Sequence, residues 1–406
     1  MFDKRTIAAG LRTEAAKREF HLLYGGTERT AAEQADRYEA LLSTYAEHFG
    51  CEGEAPAFFS SPGRTEIVGN HTDHNNGLVL AAAVTLDTLA APTGDGIITL
   101  YSQGYDKPFV VDTRDLEKKE AEKNTTDALI RGVCRKLHDM GYAIGGFNAA
   151  VTSRVLSGSG LSSSAAFEVL LVCILDGLYN GSILDGVTRA KISQWVENNY
   201  FGKPSGLMDQ SACSIGGLVG IDFKYADPKI GAYSFDFAAR GFSLVVLATN
   251  SSHDDLTDEY AAIPREMRAV AEALGGKVLR DVKVEQLLER LPEVRQKTSD
   301  RAVLRALHYY DENERVRAMY TALENGDLDA FLDNVIRSGE SSWKLLQNLY
   351  VGGSTEQSLA LACALSERML RGSGAWRVHG GGFAGTILAF VPHYKLAAYV
   401  ESALAR

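Results

Sequence analysis

Hydrophobic and polar positions divide the chain into helix-like and strand-like stretches. Residues 1–50 are polar and charged, with Leu, Tyr and Phe recurring three or four positions apart, and this spacing predicts helices. From about residue 58 the pattern changes to short apolar runs separated by turns, which predicts strands as far as residue 113. Helical spacing returns over 125–141, and another strand is predicted over 149–156.

A loop of glycine and serine residues then leads directly into an apolar helix, which is predicted to end near Asn180 and Gly181. The later pattern predicts helices over 188–201, 257–273, 300–350 and 356–371, a buried strand over 241–250, and a strand over 385–391. This irregular alternation is typical of an α+β fold rather than a doubly wound sheet. The length of 406 residues allows more than one domain, and we predict domains over 1–225 and 226–406.

Composition and charge limit the kinds of partner that the protein is expected to bind. Hydrophobic residues make up 45% of the chain, as in ordinary globular proteins. No apolar run approaches the roughly 20 residues that span a bilayer, and the first residues lack the apolar segment of a signal peptide. A net charge of −10 argues against binding nucleic acid over a broad surface, but not against binding a small anion. Five scattered cysteines without a C-x-x-C motif indicate a reducing compartment. We therefore expect a cytoplasmic protein that binds neither membranes nor nucleic acid.

The segment GSGLSSSA, residues 158–165, has the features of a phosphate-binding loop. Glycines let a backbone turn its N–H groups toward an anion, and the following helix presents its positive N-terminal end. Serine hydroxyls can donate to phosphate oxygens or bind Mg²⁺. The segment matches neither a Walker A loop nor a dinucleotide fingerprint, and the alternative interpretation is a flexible linker or a simple serine N-cap. The candidate residues are Gly158, Ser159, Gly160, Leu161, Ser162, Ser163 and Ser164.

The segment PGRTEIVGNHTDH, residues 62–74, concentrates polar side chains between apolar runs. Polar groups beside buried strands need partners. One interpretation is a sugar pocket in which His and Asp bind hydroxyls and Arg64 neutralises phosphate charge. A second is half of a metallohydrolase site, although no thiolate or preceding H-x-H is present. A third is a hydrogen-bonded hairpin turn with Asn75-Asn76-Gly77 at its tip. The residues alone leave these alternatives open.

Together these two segments resemble the galactokinases, a branch of the small-metabolite kinase family that includes homoserine, mevalonate and phosphomevalonate kinases. The signature P-G-R-x-N-L-I-G-E-H-x-D-Y-N stands here as PGRTEIVGNHTDHN, and P-x-G-x-G-L-S-S-S-A as LSGSGLSSSA. The motif C-G-I-M-D-Q stands as SGLMDQ over 205–210, and G-G-G-F-G-G as GGGFAG over 380–385. The resemblance implies a two-domain metabolite kinase with a ribosomal protein S5-like N-terminal domain, a ferredoxin-like C-terminal domain and a cleft between them for the active site.

The resemblance also implies roles for individual residues. Asp209 matches the catalytic aspartate, and Arg64 the arginine that keeps it ionised and stabilises phosphate charge. Glu197 and Ser164 match the Mg²⁺ ligands, and ATP is the implied phosphate donor. The positions that match sugar-binding residues are Asn70, His71, Asp73, Gly206 and Tyr260. The implied reaction is a direct transfer to the C1 hydroxyl of galactose, with the γ-phosphate over the 158–164 loop and Mg²⁺ between the β- and γ-oxygens. The family also suggests a monomer.

Two departures from the signature bear on the substrate. Asn70 replaces the signature Glu, a residue that contacts the sugar near C6, and Glu66 replaces the Asn four positions earlier. Loss of a carboxylate at position 70 would remove repulsion toward a sugar that carries its own carboxylate, so galacturonate is an alternative substrate. The milder hypothesis is that Asn70 hydrogen-bonds the 6-hydroxyl of galactose. A non-catalytic sugar sensor is a further alternative, but intact Ser164, Asp209 and Arg64 favour catalysis.

Overall fold

The computed structural model describes residues 2–155, 160–203, 205–249 and 256–405. The helices in these ranges are α1 (Lys4–Gly10), α2 (Glu14–Tyr24), α3 (Glu28–Phe49), α4 (Thr126–Asp139), α5 (Ser163–Tyr179), α6 (Gly186–Val196), α7 (Met208–Ile215), α8 (Thr257–Ala273), α9 (Val284–Glu289), α10 (Leu291–Lys297), α11 (Asp300–Asn325), α12 (Leu328–Ser341), α13 (Ser358–Leu370) and α14 (His393–Leu404). The strands are β1 (Phe59–Val68), β2 (Leu78–Asp95), β3 (Ile98–Ser102), β4 (Phe109–Val111), β5 (Gly146–Ser153), β6 (Leu218–Asp222), β7 (Lys229–Tyr233), β8 (Phe242–Ala248), β9 (Ala375–His379) and β10 (Thr386–Pro392). This mixture confirms the predicted α+β class.

The chain packs into two compact units. The first comprises the described residues of Met1–Arg64, Ala83–Ser157 and Leu161–Gly216. The second comprises those of Thr65–Ala82, Gly158–Gly160 and Gly217–Arg406. Strands β1 and β2 each contribute residues to both units. The domain boundary after residue 225 stays a prediction.

In the first unit, helices cover both faces of a sheet with strand order β4-β3-β5-β2. Successive side chains of a strand point to opposite faces. Leu89 and Ala91 of β2 accordingly lie in a core formed with α2 and α3, whereas Ala90 lies in a core formed with α4, α5 and α6. The sheet therefore supports α5, whose N-terminus follows the predicted phosphate loop.

The second unit contains antiparallel strands β2, β6 and β7 and a separate antiparallel sheet of order β8-β10-β9. The central strand β10 is buried along its whole length. The segment 241–250 was predicted to form a buried strand, but β8 is an edge strand and is only half-buried. This part of the prediction is wrong because an edge strand lacks a neighbour on one side.

The predicted helical stretch over 300–350 is divided into α11 and α12 at residues 326–327. Gly326 ends α11 with a left-handed backbone, at φ 67°. The Asp327 carboxylate then accepts the Ala330 N–H at 3.0 Å and caps α12. Adjacent stop and start signals explain the break. None of the helices in the described ranges is long and apolar enough to cross a membrane.

A buried carboxylate joins the helices and the sheet of the first unit. Asp87 on β2 is 2% exposed and accepts hydrogen bonds from Arg37 of α3 at 2.5 Å and from Tyr24 of α2 at 2.7 Å. The Ser60 hydroxyl on β1 donates to the same carboxylate at 2.5 Å. A buried ion is tolerated only when its partners replace water, so these bonds depend on one another.

Replacing Asp87 with alanine should therefore destabilise the first unit strongly. The change leaves the Arg37 guanidinium buried without its counter-ion, and we expect a loss of about 3–5 kcal/mol in the free energy of unfolding. Urea denaturation followed by circular dichroism measures it. Asp36→Ala is the control, because Asp36 pairs with Arg12 at a side-chain exposure of 68% and should change stability by less than about 1 kcal/mol. Equal effects of the two substitutions would contradict this account.

Candidate active site

A bidentate ion pair joins the two residues predicted to carry the chemistry. Asp209 lies in the first turn of α7, and Arg64 lies on β1. Arg64 donates from Nε to Asp209 Oδ1 and from Nη2 to Oδ2, both at 2.7 Å. The arginine is buried, whereas the Asp209 side chain keeps 30% of its surface exposed. The fork fixes the carboxylate plane and leaves part of the side chain accessible.

The start of α5, the helix that follows the predicted phosphate loop, contacts the same aspartate. The Ser162 hydroxyl donates a short hydrogen bond to Asp209 Oδ2. Ser162 has a left-handed backbone at φ 57° and is the N-cap residue of α5, although its side chain does not cap the helix. The Arg64 N–H donates to the Leu161 carbonyl at 3.0 Å. A Cβ on Gly63 would meet that carbonyl oxygen at 2.9 Å, so glycine permits the close approach.

These contacts keep Asp209 ionised. Burial would raise its pKa, but Arg64 and Ser162 hold the pKa of Asp209 below its usual value. A low pKa makes the carboxylate a weak base and a good hydrogen-bond acceptor. The arrangement is therefore better suited to orienting a hydroxyl group than to removing its proton in advance.

A second carboxylate lies beside α5. Glu197 is 2% exposed and begins a π-helical turn, Glu197–Phe201. Its Oε1 accepts from Ser164 Oγ at 3.0 Å and lies 3.4 Å from Lys203 Nζ. Its Oε2 accepts from Gln210 Nε2 at 2.7 Å. The structure thus brings the two predicted metal ligands, Ser164 and Glu197, into direct contact.

These two oxygens fit a hard cation that is shared with a substrate. Mg²⁺ prefers oxygen ligands and usually keeps several waters and phosphate oxygens. Within the ranges the structure describes, no group of three or more His, Cys, Asp or Glu side chains is arranged to hold a metal. Gln210 also donates to Oε2 of buried Glu168 at 3.3 Å, and Glu168 Oε1 has no hydrogen-bond partner among the residues that the structure describes. Burial and the nearby Glu197 raise the pKa of Glu168 well above its usual value.

Gly206 lies in the loop immediately before α7. The Asn198 carboxamide braces this loop, accepting the Ser205 N–H at 2.7 Å and donating to the Ser205 carbonyl at 3.3 Å. Gly206 itself is exposed. Its backbone is therefore accessible and close in sequence to Asp209.

In the second unit, three predicted sugar-binding residues meet at one glycine-rich loop. Asn70 Nδ2 donates to the Gly380 carbonyl at 2.7 Å, and His71 Nε2 lies 2.9 Å from the Gly381 carbonyl. The Tyr260 hydroxyl donates to the Gly382 carbonyl at 2.7 Å. A Cβ on Gly381 would lie 2.5 Å from the Tyr260 ring. Glycine is needed here because the ring packs against the backbone.

His71 is held as a neutral ring with a defined tautomer. Its backbone is left-handed at φ 58°. A carbonyl oxygen only accepts, so Nε2 carries the hydrogen toward Gly381 and Nδ1 is left as an acceptor. Burial lowers the pKa of His71 to about 4. Asp73 is half-buried at the start of the short 3₁₀ turn Asp73–Asn75, which joins the paired strands β1 and β2.

The backbone of this turn is anchored by buried groups on α11. Glu312 Oε1 accepts the N–H groups of Gly69 at 3.0 Å and Asn70 at 3.4 Å. His308 Nε2 donates to the Asn70 carbonyl at 3.0 Å, while its Nδ1 accepts from Ser341 at 2.9 Å. Burial would raise the pKa of Glu312, but Arg315, His308 and Arg377 together lower it to about 2. The turn is therefore held by an ionised carboxylate.

The predicted site residues thus form two groups. One, in the first unit, contains Arg64, Leu161, Ser162, Ser163, Ser164, Glu197, Gly206 and Asp209; the other, in the second unit, contains Asn70, His71, Asp73, Gly160 and Tyr260. Gly158 and Ser159 lie outside the described residues. The binding and catalytic roles of all these residues stay predictions.

Several supporting residues were missed by sequence reasoning. His308 and Glu312 are four positions apart in a helical stretch, a spacing that places them on one helix face. Their burial depends on tertiary packing, so no local pattern indicates that they anchor another segment. Gln210 lies inside the quoted SGLMDQ motif, and Arg377 lies three residues before the glycine-rich motif. For Gln210 and Arg377, the position in or near a motif was the signal that could have identified them.

Comparisons with known proteins identify the family to which the chain is related. A family model described as the galactokinase galactose-binding signature matches residues 43–93, and one for the N-terminal domain of GHMP kinases matches residues 128–217. Galactokinase from Streptomyces coelicolor is 33% identical over 362 residues, covering 87% of this chain and 89% of the relative. Human galactokinase is 33% identical over 357 residues, covering 84% of each chain.

Solved structures give the same fold. The crystal structure of Lactococcus lactis galactokinase complexed with galactose aligns with a TM-score of 0.76 at 24% identity, covering 90% of this chain and 93% of that one. Methanococcus jannaschii mevalonate kinase aligns with a TM-score of 0.62 at 15% identity, covering 87% of this chain and 96% of that one. By sequence and by fold, the chain belongs to the galactokinase family of GHMP kinases and is a sugar kinase.

Proposed function

We propose that the protein transfers the γ-phosphate of ATP to the C1 hydroxyl of galactose, giving galactose 1-phosphate and ADP. The observation that carries the proposal is the Asp209 carboxylate, fixed by Arg64 and Ser162 at the start of the phosphate-loop helix. In a member of the galactokinase family, this is the arrangement expected to receive a sugar hydroxyl next to a phosphate.

Asp209 orients the attacking hydroxyl in this proposal. Phosphoryl transfer passes through a loose transition state, so positioning and charge stabilisation dominate over early proton removal. An ionised aspartate with a low pKa meets that requirement, and it takes the proton as the new bond to phosphorus forms. Arg64 keeps the aspartate ionised and adds positive charge near the transferred group.

The phosphates of ATP would lie at the start of α5. The proposed loop runs over 158–164, and the helix of 17 residues that follows it directs its N-terminal end toward this loop. Ser164 and Glu197 would hold Mg²⁺. When bound, Mg²⁺ supplies positive charge that neutralises the phosphate oxygens. Gln210 holds Glu197 in orientation through its bond to Oε2.

The sugar would be bound by His71, Asp73, Tyr260 and the Gly206 backbone. Neutral His71 offers Nδ1 as an acceptor for a hydroxyl, and the Asp73 carboxylate offers two more acceptor atoms. We also propose that the fold comprises an S5-like and a ferredoxin-like domain, with a boundary near residue 225. The working form would be a cytoplasmic monomer.

The function is tested by ADP release from Mg²⁺–ATP with galactose, galacturonate, galactosamine, N-acetylgalactosamine, glucose, mevalonate and homoserine. We expect galactose to give by far the highest kcat/KM. Asp209→Asn should lower kcat about 10²–10⁴-fold, because the neutral amide loses charge and acceptor strength. Asp139→Asn, at an exposed aspartate of the first unit, is the control and should retain activity. A higher kcat/KM for galacturonate would overturn the proposed substrate.

The metal assignment predicts a specific effect of Glu197→Gln. Loss of the carboxylate should raise the Mg²⁺ concentration needed for half-maximal activity by at least about tenfold. Calorimetric titration of Mg²⁺ into the enzyme with a non-hydrolysable ATP analogue should show the same weakening. Glu117→Gln, at a side chain that is 85% exposed, is the matched control. An unchanged Mg²⁺ requirement in Glu197→Gln would remove Glu197 from the metal site.

The lowered pKa of His71 predicts that galactose binding is insensitive to mild acid. With a pKa of about 4, the ring stays neutral at pH 5.5, whereas an ordinary histidine would lose about tenfold of its neutral form there. Because the unfolded chain binds this proton more readily, protein stability should fall as the pH drops from about 6.5 toward 4. Calorimetry without ATP measures the affinity at pH 8, 7, 6 and 5.5. A loss of binding centred near pH 6.5 that persists in His74→Gln, which removes the exposed neighbouring histidine, would contradict this assignment.

A further inference from the structure

The Asn70 side chain has no hydrogen-bonding capacity left for a ligand. Its Nδ2 donates to Glu66 Oε1 at 3.0 Å and to the Gly380 carbonyl at 2.7 Å. Its Oδ1 accepts from Asn348 Nδ2 at 2.8 Å and from Ser342 Oγ at 3.4 Å. A carboxamide has two N–H donors and two acceptor lone pairs. All four are therefore used within the protein, and the residue is only 1% exposed.

The backbone at position 70 is equally constrained. Its N–H and carbonyl are bonded to Glu312 and His308, as described above. The next residue, His71, takes a left-handed backbone and reaches the Gly381 carbonyl. Any displacement of residue 70 must therefore move His71. Residue 70 therefore supports His71, the proposed sugar-binding residue, and does not itself contact the sugar.

The negative charge in this cluster resides at position 66. Glu66 is 6% exposed, and its Oε1 accepts from both Asn70 Nδ2 and Arg377 Nη2 at 3.0 Å. Arg377 is fully buried and also donates from Nη1 to the Ile67 carbonyl at 2.6 Å. A buried guanidinium needs a carboxylate partner, and Glu66 provides it.

The galactokinase signature has the two residue types in the opposite order, with Asn at position 66 and Glu at position 70. In this chain the exchanged side chains contact one another directly. Either order places one carboxylate and one carboxamide at positions 66 and 70. A single change would instead place two carboxylates in contact or leave Arg377 without a counter-ion, and either result is costly in a buried cluster.

We propose that Glu66 and Asn70 form an exchanged pair that positions His71 for the sugar, with Arg377 as the counter-ion of the pair. Both are positioning residues, and Asn70 makes no hydrogen bond to the sugar. The carboxylate of the signature has moved by four residues and has not been lost. This inference rests on the proposed function, because it deepens the account of the same sugar site.

The test is a double-mutant cycle of Asn70→Glu, Glu66→Asn and the double exchange. Each single variant should raise the KM for galactose at least about tenfold, while the KM for ATP changes less than about threefold. The double exchange should return the galactose KM to within about threefold of the wild-type value, since positions 66 and 70 again hold one carboxylate and one carboxamide. Galactose affinity measured by calorimetry without ATP should follow the same order.

A second cycle keeps side-chain size constant, in case the first variants fold poorly. Asn70→Asp and Glu66→Gln move only the charge, and their double variant should again recover galactose affinity relative to the worse single. Glu340→Asn is the control, because its side chain is 58% exposed in the same unit, and it should leave both KM values unchanged. Thermal unfolding of each variant verifies folding.

Either of two results would overturn the inference: single variants with wild-type galactose affinity, or double variants no better than the worse single in both cycles. Failure of the proposed function is distinguishable, since wild-type protein would then prefer another sugar in the kinase panel. The cycle can be run with that sugar, so the pair is tested in either case.

Discussion

The proposed sugar site depends on one interaction in the second unit, in which a buried carboxylate accepts hydrogen bonds from backbone N–H groups. Glu312 holds the N–H groups of Gly69 and Asn70 and is neutralised by Arg315 at 2.7 Å. Those N–H groups would otherwise be buried without partners, at a cost of about 1–3 kcal/mol each. The same hydrogen bonds therefore offset two costs, that of burying the glutamate and that of burying the N–H groups of an irregular turn. His71, the next residue in the chain, takes its left-handed conformation on this fixed base.

The same principle operates at the proposed catalytic centre, with a different outcome. Arg64 and Ser162 hold Asp209, but part of its side chain remains exposed. Glu312 is fully enclosed and can only support structure, whereas Asp209 can still accept a hydrogen bond from a ligand. Exposure, rather than pairing, distinguishes the supporting carboxylate from the carboxylate that we propose to be catalytic. Strong pairing lowers the pKa of both, which favours a role for Asp209 in positioning the hydroxyl.

Local sequence predicted much of the secondary structure because the decisive signals are local. The predicted helix over 257–273 is confirmed at both ends, and α5 begins at the Gly/Ser loop and ends at Tyr179, next to the predicted end near Asn180. The short strands β6 and β7 and the terminal helix α14 were not predicted. The two strands have too few residues to show a clear periodicity, and β7 has mostly exposed side chains. The break at 326–327 was also missed, although Gly followed by Asp supplies both signals.

Some residues of the candidate site could likewise be predicted from the sequence, whereas others could not. Arg64, Ser164, Glu197 and Asp209 were predicted from motifs, and each lies in direct contact with another of them. His308, Glu312, Arg377 and Asn348 were not found, because each acts through residues that are distant in the sequence. The Glu66–Asn70 contact belongs to a third class. Glu66 and Asn70 are both visible as departures from the signature, but the sequence does not indicate that their side chains are in contact. The structure shows this contact.

That relation changes what position 70 implies about the substrate. Read alone, an amide in place of a carboxylate lowers the negative charge near C6 and favours a sugar acid. Read with Glu66, the charge remains 3.0 Å from the Asn70 amide, paired with Arg377. Asn70 is 1% exposed and its amide is bonded within the protein, so the exchange at position 70 gives no reason to expect a sugar acid. The argument for galacturonate therefore falls away, and galactose stays the expected substrate.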